Sequence, residues 1–450
     1  MSSEYLDRIA NFAASVRHAD LPAPVIERAR WLLLDTFAVM IAGAGEHRVN
    51  ALSRTLRQRG SVGRSLFATD GARGDAADAA LVNATAACAH VLDEGHKYAR
   101  GHVGTYVLPS VLAVAEEQRA SVGDMVVALV AGYEIAARMG MACRVRESMH
   151  PSGTWGTIGA AAAAAKLMGL DASRIRETMN VAAPLTLATS WRAATEGATV
   201  RDLYSGQGAA NAVMAPRWVQ AGFTGSEDDV SNVFGHVSSE RFDRQVAADG
   251  LGSRWELLRN YFKIHACCRN FQSGIDAMLE LRLRHGLSAD DVVAIQADTF
   301  AVPARDNAEP RPANVLAAKE SFPVSLALTL VHGRCDQSVF TDANVGDAAV
   351  ARLASACAVA CDPELDARAP EERPSRITLT LRDGRSVSEY AAVALGDPSR
   401  PLSPEQLEGK FDQLVSARLG AARAKEIKAA VWGMHADTPL DALTGLLKAP

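Results

Sequence analysis

The chain has 450 residues, 48% hydrophobic and 22% charged, with a formal net charge of −5. That length exceeds what one ordinary core serves, so two domains are expected. There is no basic stripe for nucleic acid, no uninterrupted run of about 18 apolar residues for a membrane span, and no apolar signal core in residues 1–20, so the expectation is a cytoplasmic protein without nucleic-acid or membrane partners.

From residue 4 to about 260 the pattern is helical. Ile26, Ala29, Leu32, Leu33 and Phe37 recur at helical spacing behind Pro22 and Pro24. The stretch NATAACAHVLDEGHKYARGHVGTYVLP, Asn83 to Pro109, then packs His90, Asp93, Glu94, His96, Lys97, Arg100 and His102 between two apolar runs. Burying so many ionisable groups as filler would cost several kcal/mol of desolvation. The economical reading is a cleft wall where carboxylates and imidazoles transfer protons. A solvated loop, a helix cap at Asp93 and a metal site compete with it. His96 and His102 lack the i, i+4 spacing of a helical zinc pair, and Gly95, Gly101 and Gly104 permit close approach of the chain, which favours the cleft.

Asp124 to Met141 reads as an amphipathic helix. His150 lies in MHPSGTWGTIGA, where Ser152 or Thr154 could cap a helix whose N-terminus attracts a carboxylate; an exposed turn histidine is the alternative. The helix itself, Gly159 to Leu170, is nearly all alanine and stops at Gly169. In ATVRDLYSGQGAANA, Arg201 at a helix start can grip a carboxylate bidentately, with Tyr204 beside it; a solvated first-turn arginine is the alternative. GQGAAN lacks the preceding strand and third glycine of a dinucleotide fingerprint. In KIHACCR, Lys263, His265 and Arg269 converge at a domain junction and suggest an anion site; an exposed basic turn before a helix near Phe271 is the alternative. Cys267 and Cys268 are adjacent and no CxxC pair occurs, which disfavours structural zinc or an iron–sulfur cluster.

Past residue 285 the character changes. Val292 to Val302 and Arg376 to Ala394 are β-rich, and Asp383-Gly384 signals a two-residue hairpin. Helical patterns cover Ala317–Val331 and Val345–Ala360, with Lys319 and Ser321 as ordinary cap and first-turn residues. Prolines 363, 370, 374, 401 and 404 bracket the hairpin, and helix resumes to about Trp432. The reading is a mainly α protein: a large all-α helical domain over 1–262, an inserted smaller α+β lid domain over 263–398, and C-terminal helices, 399–450, that return to the helical domain.

The blocks LLLDTFAVMIAG, LDEGHKYARGHVGTYVLPSVLAVAEE, GTWGTIGAAAAAAKLMGLD, ATVRDLYSGQGAANAV, NYFKIHACCRNFQSGIDAM and AAKESFPVSLALTLVHG, in this order, resemble the MmgE/PrpD family. That family includes 2-methylcitrate dehydratase, cis-aconitate decarboxylase and iminodisuccinate epimerase. The resemblance implies a helical domain with a smaller α+β lid, a homodimer, no metal or organic cofactor, and a site between domain and lid. By matching position it nominates Asp93, Glu94, His102, His150 and Lys263. The chain departs from the family at three places: no second aspartate pair follows His90–Asp93, Arg201 stands where relatives often carry lysine, and Val324 stands where the decarboxylase-like SxPY pattern has tyrosine. Arginine keeps the anion grip but does not donate a proton at neutral pH. The expectation therefore moves away from cis-aconitate decarboxylation, weakens for methylcitrate dehydration, and shifts towards epimerisation or another elimination.

Taken together, the expected catalytic set is Asp93, His96, His102, His150 and Lys263. The expected substrate-binding set is Glu94, Lys97, Arg201, Tyr204, His265 and Arg269. The expected activity is a cofactor-independent lyase or isomerase that removes the proton alpha to a carboxylate of a small di- or tricarboxylic acid, dehydratase-like or epimerase-like. A cis-aconitate-type decarboxylase and a catalytically silent polycarboxylate-binding member are the alternatives.

Overall fold

Small residues decide the centre of this molecule, whose computed structural model describes residues 3–448. The alanine-rich helix Gly156–Leu167 packs most heavily against Gly104–Gln118, Val122–Ala142 and Val200–Gln220. They approach closely because nothing stands between their backbones: a Cβ on Gly159 would lie 2.5 Å from the Ala136 nitrogen, and one on Gly132 would lie 2.8 Å from the Ala163 Cβ. Gly169, at φ 72°, turns the chain out of the helix, and the Leu170 N–H closes the end on the Ala165 carbonyl at 3.1 Å. The expected caps are absent. Trp155 holds the N-cap position without a side-chain bond, and the Thr154 hydroxyl turns back to the Pro151 carbonyl at 2.5 Å.

Val122–Ala142 has the length and hydropathy of a membrane span, yet 94% of its apolar stretch is buried inside the molecule. It also carries a buried ion pair. Glu134 lies 2.5 Å from Arg138 and accepts the N–H groups of Glu256 and Leu257 at 2.9 and 2.8 Å. Arg138 donates in turn to the carbonyls of Asp249, Gly250 and Arg254. One helix thereby holds the whole turn from 249 to 257.

The mainly helical class holds, and residues 1–262 also contain short strand pairs. Three two-stranded ladders sit among the helices: Ser65–Leu66 with Arg73–Gly74, Gly95–His96 with Asn260–Tyr261, and Cys143–Val145 with Ser239–Phe242. Buried connections must pair their backbone groups, and short ladders do so.

The only four-stranded sheet among the described residues has the order Ser386–Ala391, Ser375–Leu381, Val292–Thr299, Cys357–Cys361. The first two junctions are antiparallel and the last is parallel. Helix Gln272–His285 packs against it, and helix Phe322–His332 packs against that helix and against Ala348–Ser355. Two expectations fail here. The helix read through Ala360 stops at Ser355, and Cys357–Cys361 is a strand. Its small residues suit either state, and the open edge of Val292–Thr299 settles it. The hairpin loop has three residues, not two: Leu381 bonds Arg385 at 2.8 Å, and Gly384 sits at φ 86°.

The pattern over Ala317–Val331 also splits, into Val315–Ala318 and Phe322–His332, and Ser321 caps the second piece by accepting the Val324 N–H at 3.2 Å. At the C-terminus, Pro404–Leu419 packs on Ala23–Gly43. Lys410 reaches from it to Asp35 at 2.5 Å and to the Leu92 carbonyl at 2.9 Å, directly beneath Asp93 in sequence.

Candidate active site

The loop between Ala76–Cys88 and Gly104–Gln118 turns where side chains resist turning. Val91 has φ 56° although β-branched, and its carbonyl accepts from the Lys263 ammonium at 2.6 Å. Gly101 and Gly104 are needed for packing: a Cβ on either would lie 2.6 Å from the Trp155 ring or 2.8 Å from the Glu94 carboxyl. The loop so held presents His102 to a cavity of about 550 Å³, which His150, Arg201, Lys263 and Arg269 also line. Eight arginine and lysine side chains line this cavity against four carboxylates, so it favours anions although the whole chain is acidic.

The two histidines are held in opposite tautomers. His102 Nδ1 lies 2.7 Å from the Glu94 carbonyl and 3.0 Å from Asp93 Oδ2. Both neighbours are acceptors, so Nδ1 carries the proton and Nε2 keeps its lone pair. Burial pushes the His102 pKa down to about 4; Asp93 opposes this, and Lys263 adds to it. His150 Nδ1 instead accepts the Ser152 N–H at 3.2 Å, so its proton sits on Nε2. Burial, and then Arg201 and His102, hold His150 well below the ordinary histidine value. Its ring stacks on Trp191 at 5.4 Å and 21°.

Asp93 is buried off the cavity wall, against His102 and 3.4 Å from Lys263. Burial alone would raise its carboxyl, but His102, Lys263 and Arg201 outweigh that and hold it below the usual value. Arg201 donates to the Cys88 carbonyl at 2.8 Å and to Asp202 at 3.3 Å, leaving Nε buried and unpartnered among the described residues. Arg269 pairs with Asp397 at 3.0 Å and stacks on Tyr261 at 4.4 Å, leaving both Nε and Nη1 buried and unpartnered. Unmatched buried donors cost about 1–3 kcal/mol each until something accepts from them. A bound carboxylate is the natural acceptor.

Five of the residues expected at the site stand elsewhere. His96 pairs with Glu256 at 3.3 Å and accepts the Ala99 N–H, which ties the 95–96 ladder to the turn held by Glu134. Lys97 reaches the Glu371 carbonyl at 2.8 Å and Asp397 at 3.3 Å. Glu94 accepts from the Gly104 N–H and from Tyr133 at 3.0 Å, and burial lifts its pKa to about 8. Tyr204 braces the Ser190 N–H at 3.2 Å behind His150, and His265 is bound to Asp276 at 2.8 Å. None of the five lines the cavity. Conversely, Glu320, Tyr261, Trp191 and Arg373 do line it without having been singled out. Glu320 was visible only as the middle of Lys319-Glu320-Ser321, the break between two helices. Its carboxyl is raised by burial and opposed by Arg201. No group of three or more His, Cys, Asp or Glu among the described residues is placed to hold a metal ion.

Residues 7–239 match the MmgE/PrpD N-terminal domain and residues 265–435 match the MmgE/PrpD C-terminal domain. The chain belongs to the MmgE/PrpD family. Similar proteins include cis-aconitate decarboxylase of Aspergillus terreus, 25% identical over 475 residues that cover 98% of this chain and 95% of that one. Cis-aconitate decarboxylase of Homo sapiens is 24% identical over 448 residues, 95% of this chain and 91% of its own. The cis-aconitate decarboxylase-like protein oryM of Aspergillus oryzae is 24% identical over 468 residues, 98% and 96% of the two. In this MmgE/PrpD chain the cavity draws on both matched regions. His102, His150 and Arg201 come from the first, Arg269, Glu320 and Arg373 from the second, and Lys263 from the segment between them.

Proposed function

We propose that this chain is a cofactor-independent lyase or isomerase of a small di- or tricarboxylic acid, working by proton transfer at the carbon next to a carboxylate. The observation that carries this reading is the opposed pair of tautomers: His102 offers a lone pair and His150 offers a proton, across one cavity lined by cations. Substrate carboxylates accept from Arg269 and Arg201. His102 Nε2 removes the alpha proton, and Asp93 supports the imidazolium that forms. Lys263 and Arg269 face the charge that develops on the substrate carboxylate. His150 then gives its Nε2 proton to a leaving hydroxyl, which completes a dehydration, or to the opposite face of the carbanion, which completes an epimerisation.

A second reading has specific support. The similar cis-aconitate decarboxylases span nearly the whole chain, and this offsets the expectation that Arg201 and Val324 argue against that reaction. Decarboxylation breaks the carbon–carbon bond, leaves the electron pair on the substrate as carbon dioxide departs, and needs only the proton-donating half of the pair. Proton NMR in deuterated water with cis-aconitate, citrate, methylcitrate and aspartate-derived acids separates the outcomes. Solvent deuterium entering the alpha position with loss or return of water supports dehydration. Exchange with inversion supports epimerisation, and carbon dioxide release with one deuterium in the product supports decarboxylation. No exchange and no turnover with any of these acids would leave only a binding role.

A further inference from the structure

The outer part of the cavity holds a group of cations that the chemistry above does not use. Arg100, Arg144 and Arg373 line its wall. Arg100 stands at φ 58°, in the left-handed region that a non-glycine residue adopts at a cost, and its guanidinium has no hydrogen-bond or ion-pair partner among the described residues. Its charged neighbours are arginines: after burial, Arg144, Arg373 and Arg241 are what pull it below the usual arginine value. Arg144 meets Glu147 only at 3.5 Å with both side chains exposed, and Glu147 is also held by Arg305 at 2.9 Å. Arg373 gives one bond, to the Lys97 carbonyl at 3.3 Å, and it also acts on Arg269 deeper in the cavity. Positive charge therefore continues from Arg269 through Arg373 to Arg100 and Arg144. Like charges so placed repel unless an anion lies among them.

The cavity, at about 550 Å³, falls within the range of pockets that bury ligands larger than a six-carbon acid. We propose that Arg100, Arg144 and Arg373 form a second anion subsite at the mouth of the cavity, which takes the distal carboxylate or phosphate of a ligand whose inner carboxylate lies against Arg269 and Lys263. Only the placement of that inner end rests on the lyase reading.

The test is calorimetric titration of the full chain with straight-chain dicarboxylates from succinate to suberate, and with the matching ω-phosphono acids. The wild type should bind the longer acids about tenfold or more tightly than succinate, the gain expected of one charge-assisted contact. Arg100→Gln and Arg144→Gln should each remove that gain while leaving succinate binding and the melting temperature unchanged. A larger gain for the phosphono acids assigns the distal group as phosphate, and an equal or smaller one assigns it as carboxylate. Affinity that does not depend on chain length in the wild type, or a length-dependent gain that survives in both variants, overturns the subsite. Absence of turnover with every acid would remove the lyase reading and leave this binding pattern standing.

Discussion

In the proposed reaction, which nitrogen each histidine presents sets which one takes and which one gives a proton. In the free protein burial first, and then Lys263 and Arg201, keep His102 neutral, with a pKa of about 4. A bound polycarboxylate offsets those cations, so the His102 pKa rises towards the range where a general base works best. The acid limb of kcat/KM should therefore lie near pH 4, and that of kcat at higher pH; a single shared limb would contradict the assignment of His102 as base. His102→Gln and His150→Gln should each lower kcat by about 10²–10⁴, and full activity in both would end the proposal. For substrate affinity, Arg269 should matter more than Arg201, because two of its buried donors are unmatched against one. Arg269→Lys keeps the charge and loses the planar fork, so KM should rise, and rise further in Arg269→Ala, with a smaller effect for the same changes at Arg201. At this scale the sequence marked the right window but not the direction of each side chain. In the loop from 89 to 103 no helical or strand period says what faces inward. His96 and His102 look equivalent in sequence, yet one meets Glu256 and the other the cavity.

At the scale of elements, the helix Val122–Ala142 shapes the site: its Gly140 lines the cavity, and its buried ion pair holds the neighbouring turn. Glu134 satisfies Arg138 and two backbone N–H groups of the turn that leads to Tyr261 and Lys263. Glu134→Ala leaves a buried guanidinium without its carboxylate, which should cost about 3–5 kcal/mol, read as a fall in the urea midpoint. Glu134→Gln keeps an acceptor and should fall between that variant and the wild type. Equal stability of all three would show that the pair holds nothing. Long helices of this kind were legible because their apolar spacing and glycine stops are local properties. Cys357–Cys361 was not, since its five small residues become a strand only by pairing with Val292–Thr299. The break at Lys319–Ser321 was equally hidden, and with it the placement of Glu320 on the cavity wall.

For the molecule as a whole, His90, His96, His102 and His150 are all buried and all shifted below the ordinary value of 6.5, burial being the first cause for each. A histidine whose folded pKa is depressed binds protons more readily when unfolded. Its contribution to stability is complete above pH 6.5 and is lost as the pH falls towards the folded value, about 4 for His102. Glu94 acts in the other direction: with its pKa raised from 4.5 to about 8, its contribution is complete below 4.5 and is lost as the pH rises through 8. The two effects oppose each other between pH 7 and 5, so the histidine part is read by difference: as the pH falls, the melting temperature of His150→Gln should drop less, or rise more, than that of the wild type. An identical pH dependence in His150→Gln and the wild type would refute a buried neutral His150.

The sequence by itself determined the mainly helical class, the family, and the two polar windows around His102 and His150, because composition, periodicity and block order are properties of the chain. It also carried the cationic segments that end at Arg201 and Arg269. Only the tertiary structure decided which of those charges share one cavity, that Glu94, His96, Lys97, Tyr204 and His265 are spent on holding the scaffold, and which histidine offers a lone pair. The physical reason is distance. The partners that decide these roles, Asp93 with Lys263 and Lys97 with Asp397, are 170 and 300 residues apart, and only packing brings them within hydrogen-bonding reach.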